Sequence, residues 1–404
     1  MKIEERTTIE IDTVEGNLVV GEHSTIKAKE GNRIVVRGTV EFQGDCEVLS
    51  SLEARSLDGE EGDIHVVGDL IVEESIDLDD GKLTVDGELQ AADVEVGRRL
   101  KVGKDLRCKH LSIGGRLEVD GDAQIDETDV GGSVSVHGTF KGRSLDVGGS
   151  VDVKGVVEIG ELDVGGRAEV GGGDIGEIDV GGTFESSGKL RFQQIDVGGT
   201  VRLAAVEGSG SISVGGKLDV DGSMDFDEMD VGGIVKIKGP VKGKRVRVGG
   251  RLATDNDVVI EGELKVGGSA EILGSLRSGE VEVGGSLKAE TCLGERVEVG
   301  GRVETKKGTK AKEFEIGKRG RVEGPIVAER VKIGNHAEAE DVYADRLKMG
   351  EDSSARNIYA KQAILESGCE VTGELLYVES LELGEGVRSR SEPKKVEKLP
   401  DPPL

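Results

Sequence analysis

The sequence predicts an all-β, single-stranded, three-sided parallel β-helix (a β-solenoid) with about 17 residues per rung. Three observations carry the prediction. An aliphatic-Gly-Gly tripeptide recurs twelve times at a step of 16 to 18, its first glycine at 114, 131, 148, 165, 181, 198, 215, 232, 249, 267, 284 and 300. On both sides of each pair, apolar and polar residues alternate with period two, the signature of a strand with one buried face. The repeat itself is too short for a helix-bearing unit and suits a coil whose strands pair with their own copies above and below.

The rung around Val147 shows the frame. Leu145 lies two residues before it, and Val151 and Val153 lie four and six after, with Asp146, Ser150 and Asp152 between them. Val164 repeats the anchor, and Val231 with Val235 repeats it again. Leu145, Val147, Val151, Val153, Val164, Val231 and Val235 are therefore assigned to a thin core of about five aliphatic side chains per rung. The glycines between the strands, Gly131, Gly132, Gly148, Gly149, Gly165, Gly166, Gly198 and Gly199, are assigned to corners. Corners that sharp commonly need φ > 0, which glycine adopts without penalty, and two glycines in a row also let successive corners stack with no side chain between them. A single rung buries too little to offset the ordering of its backbone, so the copies must stabilise one another along the axis.

In chain order, residues 1–13 form a polar lead-in segment, with a weak alternation at Ile9 and Ile11. A continuous β-helix is expected over 14–386. Its rungs are irregular over 14–96, where acidic runs such as Asp58-Gly59-Glu60-Glu61-Gly62-Asp63 read as extended corners or loops. Regular Gly-Gly rungs occupy 97–320. Over 321–386 the pattern changes, and Tyr343, Tyr359 and Tyr377 fall at equivalent positions, predicting a stacked aromatic ladder. Residues 387–404, ending in Pro400, Pro402 and Pro403, are expected to be a disordered tail.

Composition agrees with a thin rod rather than a globular core. Of 404 residues 65 are glycine, none is Trp, and aromatics make up 2%. The formal charge of −27 disfavours nucleic acid or an anionic membrane as a generic partner. The first residues contain no apolar export segment and no run of about 18 apolar residues follows, so the expected location is cytoplasmic. Cys46, Cys108, Cys292 and Cys369 share no CxxC spacing and read as free thiols.

Little in the sequence suggests chemistry. His23, His65, His110, His137 and His336 share no register, so neither a general base nor a metal triad is predicted, and no cofactor is expected. A hexapeptide-repeat acyltransferase would place an apolar residue at every sixth position; Ile113, Val119 and Ile125 do so, but Val130 follows five residues later. Val170-Gly171-Gly172-Gly173-Asp174 has the flavour of a calcium-binding nonapeptide repeat, yet the period of nine is absent. The expectation is a non-enzyme.

The surface positions are more informative. The residue before the anchor reads Asp129, Asp146, Asp163, Asp179, Asp196, Ser213, Asp230, Arg247, Lys265, Glu282 and Glu298, and stacking would set the aspartates side by side as like charges. A basic band of Lys236, Lys238, Lys242, Lys244, Arg245, Arg247 and Arg251 holds no acid, and is a candidate lateral contact with acidic rungs of another copy. Apolar rungs near the two termini, with Ile9 and Ile11 at one and Leu375, Tyr377, Leu381 and Leu383 at the other, are candidates for an end-to-end joint.

The stretch Val322-Glu323-Gly324-Pro325-Ile326-Val327-Ala328-Glu329-Arg330-Val331-Lys332-Ile333-Gly334, the repeats through Val371-Thr372-Gly373-Glu374-Leu375, and Leu83-Thr84-Val85-Asp86-Gly87-Glu88-Leu89 resemble the bactofilins, a family of polymer-forming cytoskeletal proteins. The resemblance implies a right-handed β-helix of small triangular section, nucleotide-free assembly end to end into filaments, and a cytoplasmic scaffold role. The expected function is thus a structural rod whose main partner is itself. The alternative is a monomeric or small-oligomer rod that docks a protein partner through its charged faces.

Overall fold

The computed structural model of the protein describes residues 1–208 and 210–403. Every regular element among them is a strand, and every strand pairing is parallel, joining residues about one turn apart. The chain divides into two units, Met1–Ala204 and Ala205–Leu404, each a β-solenoid in its own right. The division falls inside the 97–320 run of glycine-paired rungs.

In the first unit a representative turn has three sides. Ser144–Val147 forms the first, Ser150–Val153 the second, and the start of Val157–Val164 the third. Each stacks on its copy: Leu145 pairs with Leu162, Val151 with Ala168, and Phe140 with Val157. The chain turns sharply at the glycine pair and again after the second side. It bends more gently within Val157–Val164, where Gly160 and Glu161 separate two inward residues. Six side chains of this turn, Val157, Ile159, Leu162, Val164, Ala168 and Val170, point inward and are buried. Leu145, Val147, Val151 and Val153 are buried too, as are Val231 and Val235 in the second unit. Alternation along each side thus sends every second residue to a shared aliphatic column.

Of the two reasons for the corner glycines, the stacking of successive corners holds and positive φ does not. None of Gly131, Gly132, Gly148, Gly149, Gly165, Gly166, Gly198 and Gly199 has φ in the left-handed region. A Cβ on Gly148 would lie 2.6 Å from the carbonyl oxygen of Gly131 one turn below, and on Gly198 2.7 Å from that of Gly181. Glycine is required because successive corners stack backbone on backbone, with no room for a methyl group. Positive φ appears instead where a corner is shortened. Val153 and Val157 stack on Val170 and Gly173, so the upper corner has one residue fewer, and Gly172 and Gly173 take φ of +115° and +126° to close it.

Towards the end of the second unit the Gly-Gly corner gives way to one built on a left-handed residue. Arg319, His336, Asp352, Gly368 and Gly386 have φ between 52° and 75°, and Arg6 and His23 do the same in the first turns of the first unit. Four corrections to the expected boundaries follow. Stacked turns begin before residue 14, since Lys2–Ile3 pairs with Val19 and Val20, and Thr8–Glu10 with Thr25, Ile26 and Lys27. The acidic run 58–63 is not a loop; it lies within the strand Ser51–Val66, and Asp58 pairs with Asp77. Beyond residue 386, Arg388–Ser389 pairs with Glu370–Val371, and Lys394–Lys395 with Leu376 and Tyr377. The tyrosine ladder has two members, Tyr343 and Tyr359, with ring centroids 4.8 Å apart. Leu376 stacks on Tyr359, while Tyr377 pairs with Ala360 in the neighbouring inward column.

Candidate interaction surfaces

A sheet that repeats one residue pattern turns each outward position into a column, and the columns define the surfaces. On the first side of the first unit two columns run together. One carries Glu41, Asp58, Asp77, Glu95, Ser112, Asp129, Asp146, Asp163, Asp179 and Asp196 in unbroken register. Its neighbour carries Asp93, His110, Glu127, Ser144, Glu161, Glu177 and Gln194. Over these spans neither contains a Lys or Arg, although the first continues below Glu41 through Val19 to Lys2. Strands about 4.8 Å apart bring these carboxylates within mutual repulsion. Partial burial, with Asp146 and Asp179 beside it, holds the Asp163 carboxyl above the ordinary carboxylate range. Asp58 is raised in the same way, by burial first and then by Asp77 and Glu41. The sequence showed the row from Asp129 to Asp196 but missed its continuation through Asp58 and Asp77, because those turns are 19 residues apart instead of 17.

The other surfaces are laced by ion pairs between successive turns. Arg98 bonds Asp80 at 2.7 Å through two nitrogens, Lys82 bonds Asp63 at 2.9 Å, and Arg302 bonds Glu323 at 2.8 Å. Their effect on the carboxyls is local: the Arg98 guanidinium holds Asp80 below its usual value, and Arg99 does the same for Glu118. All five histidines lie beside carboxylates in this way, three of them within hydrogen-bond distance. His65 lies 3.0 Å from Asp86, His110 2.6 Å from Asp93 and His137 3.1 Å from Asp120. Each imidazole sits in its own turn beside one or two carboxylates.

The basic band at 236–251 does not form one surface. Lys236 and Arg251 lie on the second side, Lys242 on the third, and Arg245 and Arg247 on the first. Carboxylates of adjacent turns neutralise most of it: Lys238 pairs with Asp221 at 2.6 Å, Lys244 with Asp227 at 2.6 Å, Arg245 with Glu228 at 2.8 Å, Arg247 with Glu263 at 3.5 Å, and Arg251 with Glu271. Lys236 and Lys242 have no carboxylate partner among the described residues.

A different basic patch is assembled by residues far apart in sequence. On the first side of the second unit Arg330 pairs across the sheet with Arg346, and Lys332 with Lys348. The four border a hollow of about 340 Å³ with Gln362 and Ile364 at its far edge. The signal in the sequence was a repeat of basic residues 16 apart, not a run.

The terminal turn of the second unit leaves one edge open. The third and second sides of that turn carry Lys394–Lys395 and Arg388–Ser389 as partial covers, but residues 380–383 on the first side pair only with the turn before. Here Leu383, on the inward column above Leu365, is 49% exposed, and Leu381 and Tyr377 are half-buried; Leu375 is fully buried. In the first unit Ile9 is half-buried, Ile11 is buried, and Met1 is exposed.

The four cysteines are free and buried. Burial pushes the Cys46 thiol up to about 11 and those of Cys108 and Cys292 up to about 12. Neutral thiols of this kind are poor nucleophiles and metal ligands. Among the described residues no group of three or more His, Cys, Asp or Glu is placed to hold a metal ion, and no helix is long and apolar enough to cross a membrane. No family model, curated protein or solved structure matches this chain.

Proposed function

We propose that this protein is a non-enzymatic structural scaffold that assembles end to end into filaments, with the open edge at 380–383 as one half of the joint. The observation that carries the reading is Leu383, an inward-column leucine left 49% exposed on a strand edge that, among the described residues, pairs only with the turn before it. A parallel edge with aliphatic residues in core register is a template for one more turn, and an incoming copy supplies it by strand addition. Ile9 and Ile11, in the first turns, are the matching apolar group. The resemblance of residues 322–375 to polymer-forming cytoskeletal proteins supports the same reading, as does the dispersal of the histidines over separate turns.

The test is electron microscopy of the purified chain at micromolar concentration. Wild-type protein is expected to form filaments, and Leu383→Arg to leave short particles with an unchanged circular dichroism spectrum. Discrete wild-type particles of uniform size would overturn the reading. The uninterrupted acidic columns of the first unit favour a second one, a rod that docks a basic protein partner; it predicts a stoichiometric complex without polymer.

A further inference from the structure

The patch around Arg346 stands out against the surface that contains it. Along its column the preceding turns alternate in sign, Glu280, Arg296, Glu313, Arg330, and the alternation fails at Arg346, where an acid would be due. Like charges directly opposite on adjacent strands are unfavourable, so the placement needs a compensating partner. Arg330 has one in Glu313, Lys332 in Glu315, and Lys348 in Glu366 at 2.9 Å. Arg346 is exposed and makes no hydrogen bond or ion pair among the described residues. Beside it Ile364, on the same outward face, is 42% exposed.

A free guanidinium flanked by two lysines on a flat sheet suits carboxylates, which it can take in a two-pronged hydrogen bond. The spacing narrows the choice. Bases on adjacent turns repeat at the interval between strands, about 4.8 Å, and a partner that matches them must repeat its acids at that interval. The aspartates 146, 163, 179 and 196 do so, being paired residue to residue on consecutive turns. A phosphate ion or a flexible acidic peptide would meet one turn at a time. The aspartate row also gains from the contact, since a nearby cation relieves the repulsion from Asp146 and Asp179 that adds to burial in raising the Asp163 carboxyl.

We propose that the patch formed by Arg330, Lys332, Arg346 and Lys348 docks side by side on the row of Asp146, Asp163, Asp179 and Asp196 of a second copy of this chain. The contact uses different residues from the lengthwise joint and would bundle filaments or pair single molecules. Its strength is electrostatic, so it weakens as salt rises.

The experiment is sedimentation velocity of the full chain carrying Leu383→Arg, which removes lengthwise growth, in low and high sodium chloride. Lateral association is expected at low salt and its loss at high salt. Adding Arg346→Glu should weaken association about tenfold or more, through like-charge contact. Adding Asp163→Arg to that variant should restore much of it. Association that ignores salt, or that Arg346→Glu leaves unchanged, would overturn the proposal. So would a parent protein that stays monomeric while binding inorganic phosphate in an Arg346-dependent way, which would make the patch a small-anion site. If Leu383→Arg fails to alter wild-type filaments, the lengthwise reading falls, while the salt and charge-swap responses still decide the lateral one.

Discussion

At the scale of single residues, two kinds of position govern stability. The first is the stacked corner. Gly148→Ala sets a methyl group 2.6 Å from the Gly131 carbonyl oxygen and is expected to cost about 1–3 kcal/mol, the range of an overpacked site. Gly16→Ala is the control, because a methyl group there meets nothing within 4 Å and φ is ordinary; it should be neutral or stabilising by about 0.4–1 kcal/mol. Urea unfolding of both variants measures the difference. The second kind is a polar group in an aliphatic column. Thr128 stacks between Leu111 and Leu145, is 3% exposed, and its hydroxyl lacks a hydrogen-bond partner. Thr128→Val keeps the shape and removes the stranded hydroxyl, so unfolding should show a gain of about 1 kcal/mol. The corner glycines themselves were legible from their spacing. Which of the two reasons for them holds was not, since a backbone-to-backbone approach between residues 17 apart leaves no local trace, and positive φ is the commoner cause of an obligatory glycine. Thr128 was legible only in part: it sits two before Val130, where Leu145 sits before Val147, but the sequence does not show that its hydroxyl lacks a partner.

At the scale of strands and corners, the solenoid keeps its columns aligned although its turns differ in length. Between Val248 and Val266 the spacing is 18, and the extra residue is taken up near Gly262, where the pairing steps from Ile260 to Glu263 against Gly243 to Arg245. Deleting Gly262 should therefore leave the fold intact. Deleting Lys265 should not, because a one-residue slip inside the strand would turn Leu264 outward. Thermal melts followed by circular dichroism distinguish the two: near-wild-type unfolding for the first, and a melt lowered by many degrees for the second. This tolerance also sets what could be read in advance. The regular run was legible because twelve copies multiply a weak two-residue alternation. The turns before residue 97 hid behind spacings near 19, and Tyr377 left its ladder through the same kind of slip, between Ala360 and Gln362. Surfaces suffered most. The basic run 236–251 looked like a patch in one dimension but winds over all three sides, whereas Arg330 and Arg346 meet only once the chain is coiled.

At the scale of the whole molecule, the two units should differ in degree in their response to acid, because the carboxyls held above the ordinary range lie in the first. Asp58 and Asp163 in the first unit have raised carboxyls, which stabilise the fold when protonated; that contribution is present below the ordinary carboxylate value and lost as pH rises through the raised one. In the second unit Asp341 is held low by Arg356, Glu304 by Lys288 and Glu295 by Lys312. Their contribution is present above the ordinary value and lost as pH falls. The first unit also has lowered carboxyls, at Glu10, Glu74, Asp80 and Glu118, so the contrast rests on the two raised ones. Pepsin digestion near pH 3.5, within the carboxylate range, should release peptides from 205–403 before those from 1–204. The equality of the turns has one more consequence. Because each coil rests on backbone contacts that recur with every circuit, the gene can gain or lose complete circuits by unequal recombination, and the product still closes up without a seam. Size in such a protein is a count that inheritance can adjust one step at a time, free of any redesign of the core.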